Sequence, residues 1–241
     1  MTVTDVNVVK SAIFERPDDA NKGTLGSLLC VCGSYGMAGA AVMSAKGALR
    51  TGIGLAKCAL PRSIYPIVAQ TILESVYYPL SENADGRISK VNVPFLVSES
   101  CKSSATLVGC GLGVCDDTLK IVFSLIENSA TPLVLDADAL NCVAKQPEIL
   151  LRKKAPIIIT PHPGEMSRLT GLATPLVNAE RERVALDFAQ KYGVVTVLKG
   201  AGTVIASPNG KVLVNPTGNS GMATGGSGDV LAGMTASILA Q

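Results

Sequence analysis

Short, solidly apolar runs alternate with glycine turns and longer stretches of mixed polarity. The run at residues 27–33, "SLLCVCG", ends in glycine and leads into "MAGAAVMSAKGALRTG" (37–52), so it predicts strand, turn and helix. "GLAKCAL" (54–60) and "SVYYPL" (75–80) predict two further strands, separated by a short helix from Pro61, and the polar stretch 81–92 predicts a surface loop. The alternation is clearer downstream. "ATLVGC" (105–110), "PLVLDA" (132–137) and "PIIIT" (156–160) predict strands, with a helix over 116–127 and short helices between the later two. Residues 174–192 predict one helix, with Thr174 as N-cap, Pro175 as first helical residue and Gly193 as stop. Beyond it come a strand in "VVTVLKG" (194–200), a hairpin of "TVIA" and "KVLVN" turned by "SPNG", and a glycine crowd running into an apolar helix.

Strands that are apolar throughout, each followed by a helix, suit a mostly parallel sheet covered on both faces. The expected architecture is therefore α/β, one compact domain over residues 1–241. Hydrophobic residues make up 47% and aromatics only 4%, which fits small-residue helices packed closely on a buried sheet. The formal charge of +2 comes from scattered basic residues, so no nucleic-acid partner is expected. There is neither a leader pattern nor a bilayer-length apolar run, which predicts a soluble, cytoplasmic protein without membrane association. Seven cysteines without a C-x-x-C, and one histidine, argue for buried reduced thiols rather than zinc.

In open parallel sheets ligands bind beyond the carboxyl ends of the strands. Here those ends carry "GSYGMAG", "GCGLG", "DADAL", "TPHPGE", "KGAGT" and "GNSGMATGGSGD". Six polar or glycine-rich loops at one edge suggest a shared pocket. The first has neither the P-loop pattern nor the dinucleotide G-x-G-x-x-G. In the last, the amides of Gly226, Ser227 and Gly228 can converge on an anion at a helix N-terminus. Asp229 is then either the cap of that helix or a base beside the anion, its charged form favoured by the helix dipole. A cap needs one residue, and four glycines in positions 221–228 exceed that need. His162, between two prolines, and Glu165 read equally as presented side chains or as packing and first-turn charge. Asp136 and Asp138 suit Mg²⁺ or a helix cap, and Lys199 suits a phosphate or open solvent.

"GSYGMAGAA", "GCGLG", "LDADALN", "TPHPGEMSRLTG", "LKGAGTVIA" and "GNSGMATGGSGDVLAG" occur in this order from about residue 22 to the end. In these motifs the chain resembles the ADP-dependent NAD(P)H-hydrate dehydratase family, the carbohydrate-kinase-like branch of the ribokinase superfamily. The resemblance implies a doubly wound ribokinase-like domain that repairs damaged cofactor: the S epimer of hydrated NADH or NADPH is dehydrated while ADP gives AMP and phosphate. It implies Asp229 as catalytic base with Gly226, Ser227 and Gly228 as anion hole. It implies Lys199, Gly200, Ala201, Gly202, Thr203 and Gly228 at the adenine nucleotide, and Ala40, Gly113, His162 and Asp229 at the hydrated cofactor. Mg²⁺ would assist, met by Glu165 through water, in a homotetramer served by a separate epimerase. ADP or ATP is compatible with the motifs. Related kinases carry T-P-N-x-x-E where this chain has "TPHPGE", so His162 favours the dehydratase over a vitamin-precursor kinase. A nucleotide-sensing module without catalysis is the third reading. Family members also continue beyond the helix that begins near Asp229, so a C-terminal helical segment is expected after Gln241.

Overall fold

The leucine- and isoleucine-rich runs form the middle of a ten-stranded sheet. In chain order the strands are β1 (Thr2–Val3), β2 (Ser27–Val31), β3 (Leu55–Pro61), β4 (Val76–Leu80), β5 (Ala105–Val108), β6 (Leu133–Leu135), β7 (Ile157–Ile159), β8 (Val195–Leu198), β9 (Thr203–Ala206) and β10 (Val212–Asn215). The computed structural model describes residues 15–241 and the backbone of β1. Across the sheet the order is β1-β10-β9-β8-β7-β6-β5-β2-β3-β4, parallel except where β9 pairs with β8 and β10. The chain winds outward from β2 in one direction through β3 and β4, then returns to lay β5 on the other side of β2. That reversal is the switch point at which neighbouring loops diverge and leave a crevice.

Period-two alternation divides the core between the two faces. Leu29 and Val31 join one apolar cluster with Leu135, Ile121 and Phe188, while Leu28 and Cys30 join the other with Ala45, Val134 and Ala236. The second face is covered by α1 (Ala38–Thr51), α2 (Tyr65–Thr71) and, at the chain's end, the helix Ser227–Ala240. On the first face lie α3 (Val93–Cys101), α4 (Asp116–Asn128), α5 (Asp138–Val143), α6 (Pro163–Thr170), α7 (Thr174–Ala179) and α8 (Arg181–Tyr192), which makes Ser227–Ala240 α9. Small residues let α1 and α9 touch backbone to backbone. A Cβ at Gly233 would stand 2.0 Å from Ser44 O, and one at Gly47 2.7 Å from Val230 O.

Several local expectations change in the fold. The single helix over 174–192 is two, broken at Glu180 (φ −124°, ψ 41°), and Ala173 rather than Thr174 is the N-cap. No local signal marks the break; it turns Arg181 so that its guanidinium donates to Leu198 O at 2.8 Å. Gly193 does end α8, in the left-handed region. Pro61 closes β3, and the helix expected there begins at Tyr65. Stretch 81–92 is largely exposed, yet Ile88 is fully buried and bridges back to Glu82. Helix α3 carried no sequence assignment. All seven cysteines are free; Cys30, Cys32, Cys58, Cys110 and Cys142 are buried, but Cys101 is exposed. Among the described residues no helix is long and apolar enough to cross a membrane.

Candidate active site

The carboxyl ends of β2, β5, β6, β7 and β8 face the N-terminus of α9. Gly226 is that helix's N-cap, at φ 91°, and no side chain caps it. Asp229 is the third residue of α9, so the capping reading does not hold. Helix starts leave their first amides without intrahelical partners. Among the described residues the amides of Gly226, Gly228 and Asp229 have no acceptor, while Ser227 N donates to Thr224 O at 3.4 Å. Ser227 also uses its hydroxyl within the loop, donating to Met222 O and Thr224 O, and Asp229 N stands beside the amides of Gly226 and Gly228 without an acceptor. The left-handed backbone at 226 favours glycine, and a Cβ there would also push Met43 Sδ, 2.0 Å away, aside.

Asp229 is partly buried, and burial raises its pKa, with Asp136 and Asp138 adding to the rise; a hydrogen bond from Cys110 and the charge of Lys199 oppose it. Desolvation is the largest of these influences and sets the direction of the shift. Lys199 Nζ lies 2.6 Å from Asp136 Oδ1 and 3.8 Å from Glu165 Oε2. Thr160 Oγ1 donates to the same Asp136 oxygen at 2.8 Å. Lys199 is neither solvated nor free: it neutralises two buried carboxylates beside the start of α9. A Cβ at Gly228 would stand 3.6 Å from this ammonium, an ordinary contact distance, which places Lys199 directly beside the first turn of α9.

Asp136 and Asp138 flank Ala137, which among the described residues is alone of non-glycine type at positive φ (48°). The strained turn lets both carboxylates serve the same edge. Asp138 Oδ2 accepts from Gly113 N at 2.8 Å and its Oδ1 from Asn141 Nδ2 at 3.3 Å. Both aspartates accept hydrogen bonds from protein donors, Asp136 from Thr160 and Lys199 and Asp138 from Gly113 and Asn141.

His162 and Glu165 form a reciprocal cap at the start of α6. His162 Nδ1 accepts from Gly164 N and Glu165 N, at 3.0 and 3.3 Å, while Glu165 Oε2 accepts from His162 N at 2.8 Å. The ring stays half-exposed, with Nε2 3.4 Å from Glu165 Oε1. Burial raises the Glu165 pKa, against the opposing charge of Lys199. Magnesium takes hard oxygen ligands and keeps several of its waters. Glu165 Oε1, the oxygen not held by backbone, suits a metal-bound water; the group Cys110, Asp136 and Asp229 does not, because it offers a soft thiol and already holds Lys199.

Ala40 is buried, its methyl standing where Gly111 would otherwise place a Cβ at 2.7 Å, and its amide is spent on Met37 O. It forms floor, and the amides of Ala38 and Gly39 are the ones without acceptors among the described residues. Gly113, at φ 70°, packs directly under the Arg87 guanidinium. Arg87 carried no signal in a stretch that reads as polar loop, and neither did Cys110 or Thr160 in apolar runs.

Residues 199–202 form the turn between the antiparallel strands β8 and β9, with Gly200 at φ 153° and Gly202 at φ 66°. Thr203 Oγ1 closes it on Gly200 O at 3.0 Å. Lys199 points to the centre, whereas Ala201 and Gly202 line an open cleft of about 620 Å³ with Arg181, Val204 and Val214. The cleft lies beside the turn, not over Asp229.

A doubly wound sheet with an anion-ready helix start, a lysine and an aspartate at its carboxyl edge defines a ribokinase-like α/β protein. A ribokinase-like superfamily protein of Enterococcus faecalis shares this fold, with a TM-score of 0.84 at 24% identity over 100% of this chain and 80% of its own. Residues 28–241 match the NAD(P)H-hydrate dehydratase family, and the chain belongs to it. It is similar to the ADP-dependent (S)-NAD(P)H-hydrate dehydratase of Bacillus subtilis, at 33% identity over 96% of this chain and 78% of that protein. It is also similar to the bifunctional NAD(P)H-hydrate repair enzyme of Moorella thermoacetica, at 38% identity over 96% of this chain. The chain spans less than half of that relative, 44% of its length. Among solved structures, the ADP/ATP-dependent dehydratase of Bacillus subtilis co-crystallised with ATP and Mg²⁺ superposes at TM-score 0.84 and 30% identity, over 100% of this chain and 82% of its own.

Proposed function

We propose that this chain dehydrates the S epimer of hydrated NADH and NADPH at the expense of ADP, releasing AMP and phosphate, and so repairs nicotinamide cofactors. The observation that carries this reading is Asp229, partly buried in the first turn of α9 beside acceptor-free amides and the Lys199 ammonium.

Hydroxide is a poor leaving group from the hydrated ring. Asp229 takes the proton of that hydroxyl as its oxygen attacks the terminal phosphorus of ADP, and the bond to the bridging oxygen breaks to give AMP. The amides of Gly226, Gly228 and Asp229 and the Lys199 charge stabilise the transferring group. The ring nitrogen then expels phosphate, and loss of a proton from the adjacent ring carbon restores the dihydronicotinamide. Glu165 would hold Mg²⁺ through water, and the bound ion would supply neutralisation of nucleotide charge. The 199–203 turn and Gly228 bind the nucleotide; Gly113, His162 and the start of α1 around Ala40 bind the hydrated cofactor. We take the protein to work in the cytoplasm as a homotetramer, with a separate epimerase supplying the S form.

The test is incubation with Mg²⁺ and hydrated NADH plus ADP, or plus ATP, following the return of reduced-nicotinamide absorbance. Return with ADP and release of AMP is expected. A folded protein that gives no return, but a phosphorylated product from a vitamin precursor, belongs to the kinase reading; nucleotide binding without any turnover belongs to the sensing module.

A further inference from the structure

Arg181 is the first residue of α8, where a helix dipole disfavours a cation. Its Nη2 donates to Leu198 O at 2.8 Å. Both Nη atoms lie 2.8 Å from where a Gly200 Cβ would stand, so the guanidinium lies against the Gly200 Cα. Its Nε is buried without a hydrogen-bond partner, and Nη1 has no acceptor among the described residues. No carboxylate among the described residues pairs with Arg181; the neighbouring Glu180 is taken by Arg183. Burial pulls the Arg181 pKa down, with no counter-charge to oppose it. Lys199 is the contrary case, its charge met by Asp136 and Glu165. A partly buried guanidinium without a counter-ion is costly in a folded chain. This one also lines the cleft beside the turn, with Ala201 and Gly202.

We infer that Arg181 is the positioning residue of the 199–203 turn, and that the phosphates of a nucleotide held on that turn supply the counter-charge that the protein leaves out. The inference rests on the nucleotide site proposed above. By bonding Leu198 O and backing Gly200, Arg181 fixes the chain on both sides of Lys199. Lys199 itself has separate anchors, because its amide donates to Pro161 O at 2.8 Å and its ammonium is held by Asp136. Loss of Arg181 should therefore weaken nucleotide binding more than it slows the transfer step. Without nucleotide, its removal gives up one hydrogen bond but relieves an orphan donor and an unmet charge, so stability should change little.

Arg181→Met keeps the apolar stem and removes the charge, whereas Arg181→Lys keeps the charge without the planar fork. ADP affinity measured by calorimetry should fall about tenfold or more in Arg181→Met, and less than ~5-fold in Arg181→Lys. The KM for ADP should rise in proportion, with kcat at saturating ADP within about threefold of the native chain. The nucleotide-free melting temperature of Arg181→Met should stay within about 3 °C of native. A purely structural role would lower that temperature and leave the ADP affinity of the folded variant unchanged, which overturns the inference. Equal losses of affinity in the two variants also overturn it, since the charge would then contribute nothing. A native chain that binds ADP, weakened in Arg181→Met, yet dehydrates no cofactor overturns only the proposed reaction. Dehydration by the native chain with unchanged ADP affinity in Arg181→Met overturns only the inference, and a native chain that binds no ADP overturns both.

Discussion

Lys199 and Asp136 stand 63 residues apart in the chain and 2.6 Å apart in the fold. The pair is nearly buried, at 17% and 2% side-chain exposure, and it ties the end of β8 to the end of β6. It thereby holds a cation beside the start of α9 without leaving a buried carboxylate uncompensated.

Removing the cation alone should be costly. Lys199→Met leaves Asp136 charged and enclosed, and should destabilise the protein by about 3 kcal/mol. Lys199→Met with Asp136→Asn should recover much of that loss, yet remain inactive. Chemical denaturation of both variants checks this; equal instability of the single and double variants would contradict the pairing.

Asp229→Asn should reduce turnover by about 10²–10⁴-fold, the range a positioned base supplies. Its effect on stability has the opposite sign. A carboxyl whose folded pKa is raised contributes stability at acid pH, below its unfolded pKa, and loses it as pH rises through the folded value. At neutral pH ionised Asp229 costs stability, so the variant should be at least as stable as the native chain, with the difference vanishing in acid. Thermal melts across pH read this directly.

Turnover should fall on acidification at a pH above the ordinary carboxylate range. Asp229 and Glu165 are both shifted upward, chiefly by burial, and the reaction uses Asp229 in its charged form. A pH–rate profile flat down to the range of free aspartate would remove Asp229 as the base.

Gly233→Ala should destabilise by about 2 kcal/mol or more, because its methyl would meet the Ser44 carbonyl in the α1–α9 contact. Gly225→Ala, with nothing within 4 Å of the added carbon, should stay within about 0.5 kcal/mol of the native chain. Melting temperatures of the two variants separate close packing from loop flexibility.

The alternation of apolar runs with glycine turns was enough to place most strands, both ends of α1 within a residue or so, the β9–β10 hairpin and the loops at the carboxyl edge. Such signals are local: a strand's period, a turn's positive φ and a helix stop at Gly193 all follow from residues close in the chain. Asp229 at a glycine-fronted helix start was legible for the same reason. Tertiary structure decided the rest. It broke the 174–192 helix at Glu180 to seat Arg181 on Leu198 O, made β8 and β9 antiparallel around the Lys199 turn, and joined Ser227 N to Thr224 O. It also partly buried Asp229, which raises its pKa, and brought Cys110 and Asp136 against it. Desolvation and ion pairing depend on which groups become neighbours through space, and no local pattern in the chain carries that information.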